Sequence, residues 1–205
     1  MDDVRRLTRA DVEEAAAVLA RAFFDYPMLQ WVMPDHVQRR RALPVFMGTS
    51  VRWGLLLDAV YGVGEPLRGV AIWVPPGTID EDRDPDDSFV HYRHAMAAIG
   101  AEAEARHELF LAEQRVVRSR ELGADEWYLA WLGIEPAAQR SGAGSALLSD
   151  MFTRLDAVGQ GTYLETEKAA NVPYYERHAY RVVSDGVISR GGPHYWTMRR
   201  ISPLP

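Results

Sequence analysis

The sequence predicts a mixed α/β fold in which strands and helices alternate along one domain of residues 1–205. Three patterns predict it. An apolar run at 127–134 leads through a glycine-rich turn into an amphipathic helix pattern, and a second strand-like run lies about thirty residues further on. Two short apolar runs in the first half are typical of a hairpin. With 205 residues, 47% of them hydrophobic, the chain can form one substantial core.

The first half of the chain alternates strand and helix signals. Thr8 and Asp11 form a capping-box pattern that opens a first helix, and Pro27 follows its end. In the third helix, Pro44 and Gly48 predict an interruption. The other expected elements are strands at residues 4–7, 60–63 and 69–74 and helices at about 28–33 and 37–57.

The segment between the hairpin and Trp127 is about fifty residues long, which exceeds an ordinary loop and predicts structure. Ser88 is a suitable cap for a helix that Gly100 ends. A charged helix then runs to about Arg120. Its expected inward residues are Leu109, Phe110, Val116 and Val117.

The turn after the 127–134 run reads Gln139-Arg140-Ser141-Gly142-Ala143-Gly144. A strand, a glycine-rich turn and a helix start place unpaired backbone N–H groups at the positive end of a helix, which suits a phosphate. A nucleoside-triphosphate loop needs Lys and Ser or Thr where the chain has Ser145 and Ala146, and a dinucleotide fingerprint needs glycine where it has Leu147. A tight turn without a ligand is the alternative.

The second strand-like run, residues 162–167, precedes Asn171-Val-Pro-Tyr-Tyr-Glu-Arg-His-Ala-Tyr180. Asn171 suits a helix cap and Pro173 suits a first helical turn. Together with the glycine loop, this segment resembles the cofactor site of the GNAT acetyltransferases, whose patterns are Gln/Arg-x-x-Gly-x-Gly/Ala and Asn-x-x-x-Tyr-Glu-x-x-Gly-Phe. Ala179 replaces the usual glycine, so a positive φ there would cost more. Further stretches, from residues 22–27 to 196–199, resemble the puromycin N-acetyltransferase group of this family.

The resemblance implies the GNAT fold, a mostly antiparallel twisted sheet of about seven strands flanked by helices, with a helical insertion before the fourth strand. It also implies acetyl-CoA as the acyl donor, with its diphosphate on the loop and its pantetheine arm along the preceding strand. The residues expected to bind it are Leu132, Gly133, Ile134, Gln139, Arg140, Ser141, Gly142, Ala143, Gly144, Ser145 and Asn171.

Transfer of an acyl group from a thioester to an amine requires a base for the amine, donors for the oxyanion and a proton for the thiolate. Tyr175 matches the family tyrosine that faces the thioester sulfur and is the expected acid. Glu165, on the strand beside the cofactor, is a candidate base, and a buried structural carboxylate is its alternative. Asp25, Glu126, Glu167 and a water chain are further candidates. The chain has no cysteine, which favours direct transfer in a ternary complex.

The acceptor is expected to be the amine of a small molecule, enclosed in part by the helical insertion. The net charge of −6 argues against nucleic acid as a partner and favours a cationic or neutral amine. The side chains expected to line the acceptor pocket are Phe24, Asp25, Tyr26, Trp31, Trp73 and Tyr92.

Other classes of function remain open. One alternative is a module that binds acyl-CoA without catalysis, and another is an enzyme that acetylates a protein terminus or lysine. A metal site is not expected, because His91 and His94 lack a carboxylate at ligand spacing and thiolate ligands are absent. No run approaches the roughly 20 apolar residues of a membrane span and no signal peptide opens the chain, so a cytoplasmic protein is expected. Its expected state is a monomer or a homodimer.

Overall fold

The computed structural model describes residues 3–78, 95, 97 and 99–203. These residues form a seven-stranded sheet in the order β1-β2-β3-β4-β5-β7-β6. The strands are β1 Val4–Arg6, β2 Val60–Val63, β3 Gly69–Val74, β4 Trp127–Ile134, β5 Thr162–Thr166, β6 Arg181–Val187 and β7 His194–Arg200. Every neighbouring pair is antiparallel except β4 and β5, which are parallel. The predicted mixed α/β fold with a mostly antiparallel sheet is confirmed.

Helices cover both faces of this sheet. They are α1 Val12–Ala22, α2 Pro27–Val32, α3 His36–Leu56, α4 Ala101–Glu121, α5 Ala143–Asp156 and α6 Val172–Glu176. Because side chains alternate along a strand, Val70 and Ile72 of β3 join the core beneath α1 to α4, whereas Ala71 and Trp73 join the core beneath α5 and α6. Among the described residues, no helix is both long and apolar enough to cross a membrane.

The long helix α3 runs without a break through Pro44 and Gly48, so the predicted interruption is wrong. Proline removes one hydrogen bond and crowds the preceding turn, at a cost of about 3 kcal/mol. Leu43, Met47 and Val51 are almost completely buried along one side of the helix, and this burial offsets that cost. A Cβ added at Gly48 would lie 3.8 Å from Ala16 Cβ, so α1 packs closely at this point.

Helix α4 begins directly after Gly100, as predicted, but its inner face differs from the expected one. Phe110 is buried, whereas Val116 is 49% exposed. The buried residues of α4 are Ala103, His107, Phe110 and Gln114. Two of them are polar, so a search for apolar residues at helical spacing could not identify this face. The helix expected from Ser88 lies outside the described residues.

Candidate active site

A split in the sheet separates β4 from β5. Strand β4 pairs with β3 from Tyr128 to Ile134, but with β5 only from Trp127 to Leu129. A register shift between β3 and β4 leaves Ala130 without a partner on β3. Beyond this point, no described strand covers the β5-facing edge of β4. An open strand edge offers backbone N–H and C=O groups that can pair with an extended ligand.

Gly133 lets helix α1 lie directly on this part of β4. A Cβ at Gly133 would come within 2.7 Å of Leu19 Cδ2 and 3.1 Å of Phe23 Cε2. Leu132 and Ile134, on either side, are half-buried and belong to the cluster under α5. The expected pantetheine-binding residues therefore line one edge of the split, with α1 behind one face and α5 behind the other.

The glycine loop lies at the end of the split and opens helix α5. Gly142 adopts φ 96° and Arg140 φ 64°, so the chain turns sharply before Ala143. A Cβ added at Gly142 would meet no atom within 4 Å, and none of the described side chains caps the helix. The first N–H groups of α5 lack helical partners, and unpaired N–H groups at a helix start suit an anionic group such as a diphosphate.

The second motif packs against the start of α5. A Cβ at Gly144 would lie 2.6 Å from the Tyr174 hydroxyl oxygen, so this close contact requires glycine. His178 Nδ1 lies 2.9 Å from the Tyr174 carbonyl oxygen, and Nε2 lies 2.9 Å from Ser145 Oγ. Because a carbonyl only accepts, Nδ1 carries a proton and donates it to Tyr174, and Ser145 Oγ is the partner of Nε2. The contact with His178 uses the Ser145 side chain, so the Ser145 backbone N–H stays with the other N–H groups at the start of α5.

Asn171 does not cap α6 as predicted. Its side chain instead donates from Nδ2 to Thr166 Oγ1 over 3.1 Å, which ties the start of α6 to the end of β5. Asn171 itself is helical, with φ −80° and ψ −26°, because a short 3₁₀ turn precedes α6 and removes the extended conformation that a cap requires.

Tyr175 is 8% exposed and packs edge-on against Tyr174 and Tyr180, with ring centroids 5.3 Å and 5.6 Å away. It belongs to the same core cluster as Leu129 and Leu164, the last paired residues before the split. Burial raises the pKa of Tyr175 well above its usual value. The phenol therefore keeps its proton at neutral pH, as a hydrogen-bond donor or acid must.

Glu165 lies in a buried ion pair with α4. The Arg118 guanidinium is 2.7 Å from Glu165 Oε2, and the Tyr128 hydroxyl donates to the same oxygen over 3.2 Å. Burial raises the pKa of Glu165, while the Arg118 charge opposes the rise. This pairing favours a structural role for the carboxylate. Arg118 carried no sequence signal, because its partner is 47 residues away and its helix has a charged sequence.

Glu167, directly after β5, has a different environment. It is 8% exposed, and none of the described lysines, arginines or histidines forms an ion pair with it. Its backbone N–H donates to the Tyr26 hydroxyl oxygen over 2.9 Å, and that hydroxyl is 2.9 Å from Thr166 Oγ1. Burial, with the nearby Glu165 charge, raises the pKa of Glu167 to about 8.

The expected acceptor residues do not all lie together. Tyr26 reaches the end of β5, and Phe24 and Trp31 pack against the core beneath α1 to α4. Asp25 is exposed. Trp73 is completely buried on the opposite face of the sheet, so it does not share a pocket with Tyr26. Tyr92, His91 and His94 lie outside the described residues, and the described part of the chain holds no cluster of metal-ligand type.

No protein-family model matches the chain. A curated protein of Schizosaccharomyces pombe, named as an uncharacterized N-acetyltransferase, is 24% identical over 186 residues, which cover 86% of this chain and 73% of the relative. A Corynebacterium glutamicum structure described as histone acetyltransferase HPA2 and related acetyltransferase superposes with a TM-score of 0.70, at 19% identity, over 100% of this chain and 98% of that one.

A third similar protein is arylalkylamine N-acetyltransferase 2 of Aedes aegypti, with a TM-score of 0.59, 10% identity and 98% coverage of both chains. The seven-stranded sheet with one parallel pair is the fold of the GNAT acetyltransferases. The chain therefore has the fold of the GNAT acetyltransferases, and its curated relative carries the name of an N-acetyltransferase. Resemblance to the puromycin group stays a prediction.

Proposed function

We propose that this protein transfers the acetyl group of acetyl-CoA to the amine of a small molecule, directly and in a ternary complex. The split between β4 and β5 carries the proposal, because it joins three features at one place. These are the open edge of β4, the uncapped start of α5 and the protonated Tyr175. Together they suit an extended thioester that ends in phosphates.

Acetyl-CoA would lie along the split with its diphosphate at the start of α5. The N–H groups of residues 139–145 would bind the phosphate oxygens, and the helix dipole would favour their charge. The N–H groups of residues 132–134 would pair with the pantetheine amides as an added strand does, and one of them would polarise the acyl carbonyl. Gly142 keeps the approach to the loop open, since no atom lies near the position of a Cβ there.

Tyr175 would donate its proton to the leaving thiolate. Its raised pKa keeps the phenol protonated, and its packing on Tyr174 and Tyr180 fixes its direction. Without a cysteine, the chain offers no thiol for an acyl-enzyme, so the amine would attack the thioester itself. The amine must also lose a proton, and the candidate Glu165 is already engaged by Arg118.

The acceptor would lie on the α4 side of the split. Helix α4 reaches this face through Arg118 and through His107, whose ring packs edge-on against Phe46 at 5.1 Å. Phe46 in turn packs at 6.4 Å against Trp131 of β4. Because α4 packs over this face through buried aromatic rings, the face would leave less room for a protein terminus than for a small amine, and the Aedes aegypti neighbour is named for arylalkylamines.

The phenylalanine variant Tyr175→Phe tests this proposal. We expect kcat to fall by roughly 10²-fold or more, because the thiolate loses its acid, while acetyl-CoA affinity stays nearly unchanged. Release of free CoA can be followed with a thiol reagent, and the cysteine-free chain contributes no background. Tyr61→Phe removes a hydroxyl from a buried tyrosine of β2 and is the matched control.

Small amines and peptides should be compared in the same assay. Turnover of small amines that depends on the Tyr175 hydroxyl supports the proposal. Turnover of peptides alone would instead identify a protein N-acetyltransferase. Binding of acetyl-CoA without turnover of any amine would leave a non-catalytic acyl-CoA-binding module.

A further inference from the structure

Glu167 is a buried carboxylate that no structural ion pair in the described part of the chain explains. The contrast with Glu165, two residues earlier, is direct. Both side chains are buried, but Glu165 receives the Arg118 guanidinium at 2.7 Å, whereas none of the cationic side chains among the described residues forms an ion pair with Glu167. A buried carboxylate without a cation destabilises a fold, and groups of this kind are found mainly at functional sites.

The backbone around Glu167 is held firmly. Its N–H donates to the Tyr26 hydroxyl oxygen, and that hydroxyl lies beside Thr166 Oγ1. Asn171 donates to the same Thr166 oxygen, so α6 is tied to this point as well. Residues of α1–α2, β5 and α6 thus converge where β5 ends, on the far side of the split from β4.

The charged and titratable groups around Glu167 come from four elements and from the turn before α2. Glu165 of β5 and Arg118 of α4 act on the Glu167 carboxyl with opposite sign, and the Tyr26 hydroxyl stabilises its charged form. Glu167 in turn acts on Tyr175 of α6 and on Tyr128 of β4. The carboxyl therefore lies within electrostatic reach of the expected acid Tyr175.

We infer that Glu167, and not Glu165, accepts the proton of the acceptor amine. The inference rests on the proposed function and names the base that it requires. In the described part of the chain no cationic side chain forms an ion pair with Glu167, so its ionised carboxylate would be open to an ammonium group and would both bind the charged acceptor and deprotonate it. The acceptor class is accordingly a primary amine that is protonated in solution.

This assignment gives a transfer in which every proton and bond is accounted for. The ammonium gives one proton to a Glu167 carboxylate oxygen, and the neutral nitrogen forms a bond to the acyl carbon. The carbon–sulfur bond breaks, and the thiolate takes the Tyr175 proton. The second proton of the new amide nitrogen restores Tyr175, and Glu167 returns its proton to solvent. The products are an acetylated amine, free CoA and one proton.

Tyr26 is a positioning residue in this arrangement. It holds the Glu167 backbone and favours the charged carboxylate, so its hydroxyl keeps the pKa of Glu167 lower than burial alone would set it. Removal of the hydroxyl should move the acidic limb of the rate profile to higher pH. A merely structural effect of Tyr26→Phe would lower the rate without moving that limb.

The test is the pH dependence of kcat/KM for wild type, Glu167→Gln, Glu167→Asp and Tyr26→Phe. The probes are tyramine, agmatine, spermidine and puromycin, and the amine with the highest wild-type kcat/KM is used for the profiles. Glu167→Gln keeps the size of the side chain and removes the base. Glu108→Gln, on the exposed side of α4, is the control. Acetyl-CoA affinity is measured for every variant.

We expect the wild-type profile to rise with pH, with its midpoint near pH 8, and to level off above it, where Glu167 is ionised. Glu167→Gln should lose at least about a hundredfold at pH 7. Its rate should continue to rise towards the pKa of the amine, so the deficit narrows at high pH. Glu167→Asp should retain the wild-type limb at a lower rate.

Two results separate failure of this assignment from failure of the proposed function. If amines are acetylated but Glu167→Gln has the wild-type profile, or if Glu165→Gln alone abolishes the limb, Glu167 is not the base. If acetyl-CoA binds and none of the amines is acetylated, the proposed transfer is overturned and the base assignment with it.

Discussion

Ala179 adopts φ 65°, a left-handed conformation that favours glycine, and this makes Ala179→Gly a sharp test of the turn before β6. The residue is exposed and follows α6, with its N–H donating to the Glu176 carbonyl over 3.1 Å. The turn expected of a glycine thus forms with alanine in its place. The backbone strain of that alanine is the quantity to be measured.

The magnitude follows from two opposing terms. A non-glycine residue in this region costs roughly 1–2 kcal/mol. Glycine increases the entropy of the unfolded chain, which offsets roughly 0.4–1 kcal/mol of that gain. The exposed methyl group adds little burial, so Ala179→Gly should stabilise the protein by about 1 kcal/mol. In a chain of this length that corresponds to a rise in Tm of about 2–4 °C.

Urea unfolding followed by tryptophan fluorescence measures this difference, with two matched controls. Gly191→Ala makes the reverse change at φ 74°, where a Cβ would meet no atom within 4 Å, and should destabilise by about 1 kcal/mol. Ala112→Gly, exposed in α4, should also destabilise by about 1 kcal/mol. If Ala179→Gly destabilises as Ala112→Gly does, the left-handed turn is refuted.

Two further predictions concern the buried carboxylates. Arg118→Met should lower the free energy of unfolding by about 3–5 kcal/mol, because it leaves Glu165 buried without its cation. The double variant Arg118→Met with Glu165→Gln should recover most of this loss, as measured by urea unfolding at pH 7. Equal stability of the single and double variants would contradict the ion pair. For Glu167, the folded pKa of about 8 exceeds the ordinary value of 4.5, so only the unfolded carboxyl releases its proton between these values. Wild-type stability should therefore fall as pH rises from 4.5 to 8, and Glu167→Gln should be more stable by about 3 kcal/mol at pH 7 but not below pH 4. A pH-independent difference between the two proteins would show that the folded pKa is not raised.

Much of the cofactor side of the site could be predicted from sequence because its signals are local. Strand β4 has the expected bounds, and the loop from Gln139 to Gly144 opens α5 as expected. The helix cap predicted at Asn171 rested on a local pattern and is wrong. A 3₁₀ turn precedes the helix, and the Asn171 side chain bonds to Thr166 and does not cap the helix. The continuous α3 differs for another reason, because tertiary burial overrides the effect of Pro44.

The α4 side of the proposed site was less predictable because it depends on contacts between distant residues. The inner face of α4 carries His107 and Gln114, so apolar periodicity misidentified it. Of the two neighbouring carboxylates, Glu165 and Glu167, it is Glu165 that forms an ion pair with Arg118. No local sequence pattern encodes this ion pair. Sequence left Glu167 as one of several possible bases, and only the folded structure distinguishes it from Glu165.

Calorimetric titration with acetyl-CoA tests the central claim most directly, with wild type compared with Gly142→Asp and Gly142→Asn. Both variants introduce a side chain of the same shape at φ 96°, but only aspartate places a negative charge before the first N–H groups of α5. The account predicts micromolar binding by wild type and at least about a hundredfold weaker binding by Gly142→Asp than by Gly142→Asn. Absence of binding by folded wild type, or equal affinity of the two variants, would contradict a diphosphate site at this loop.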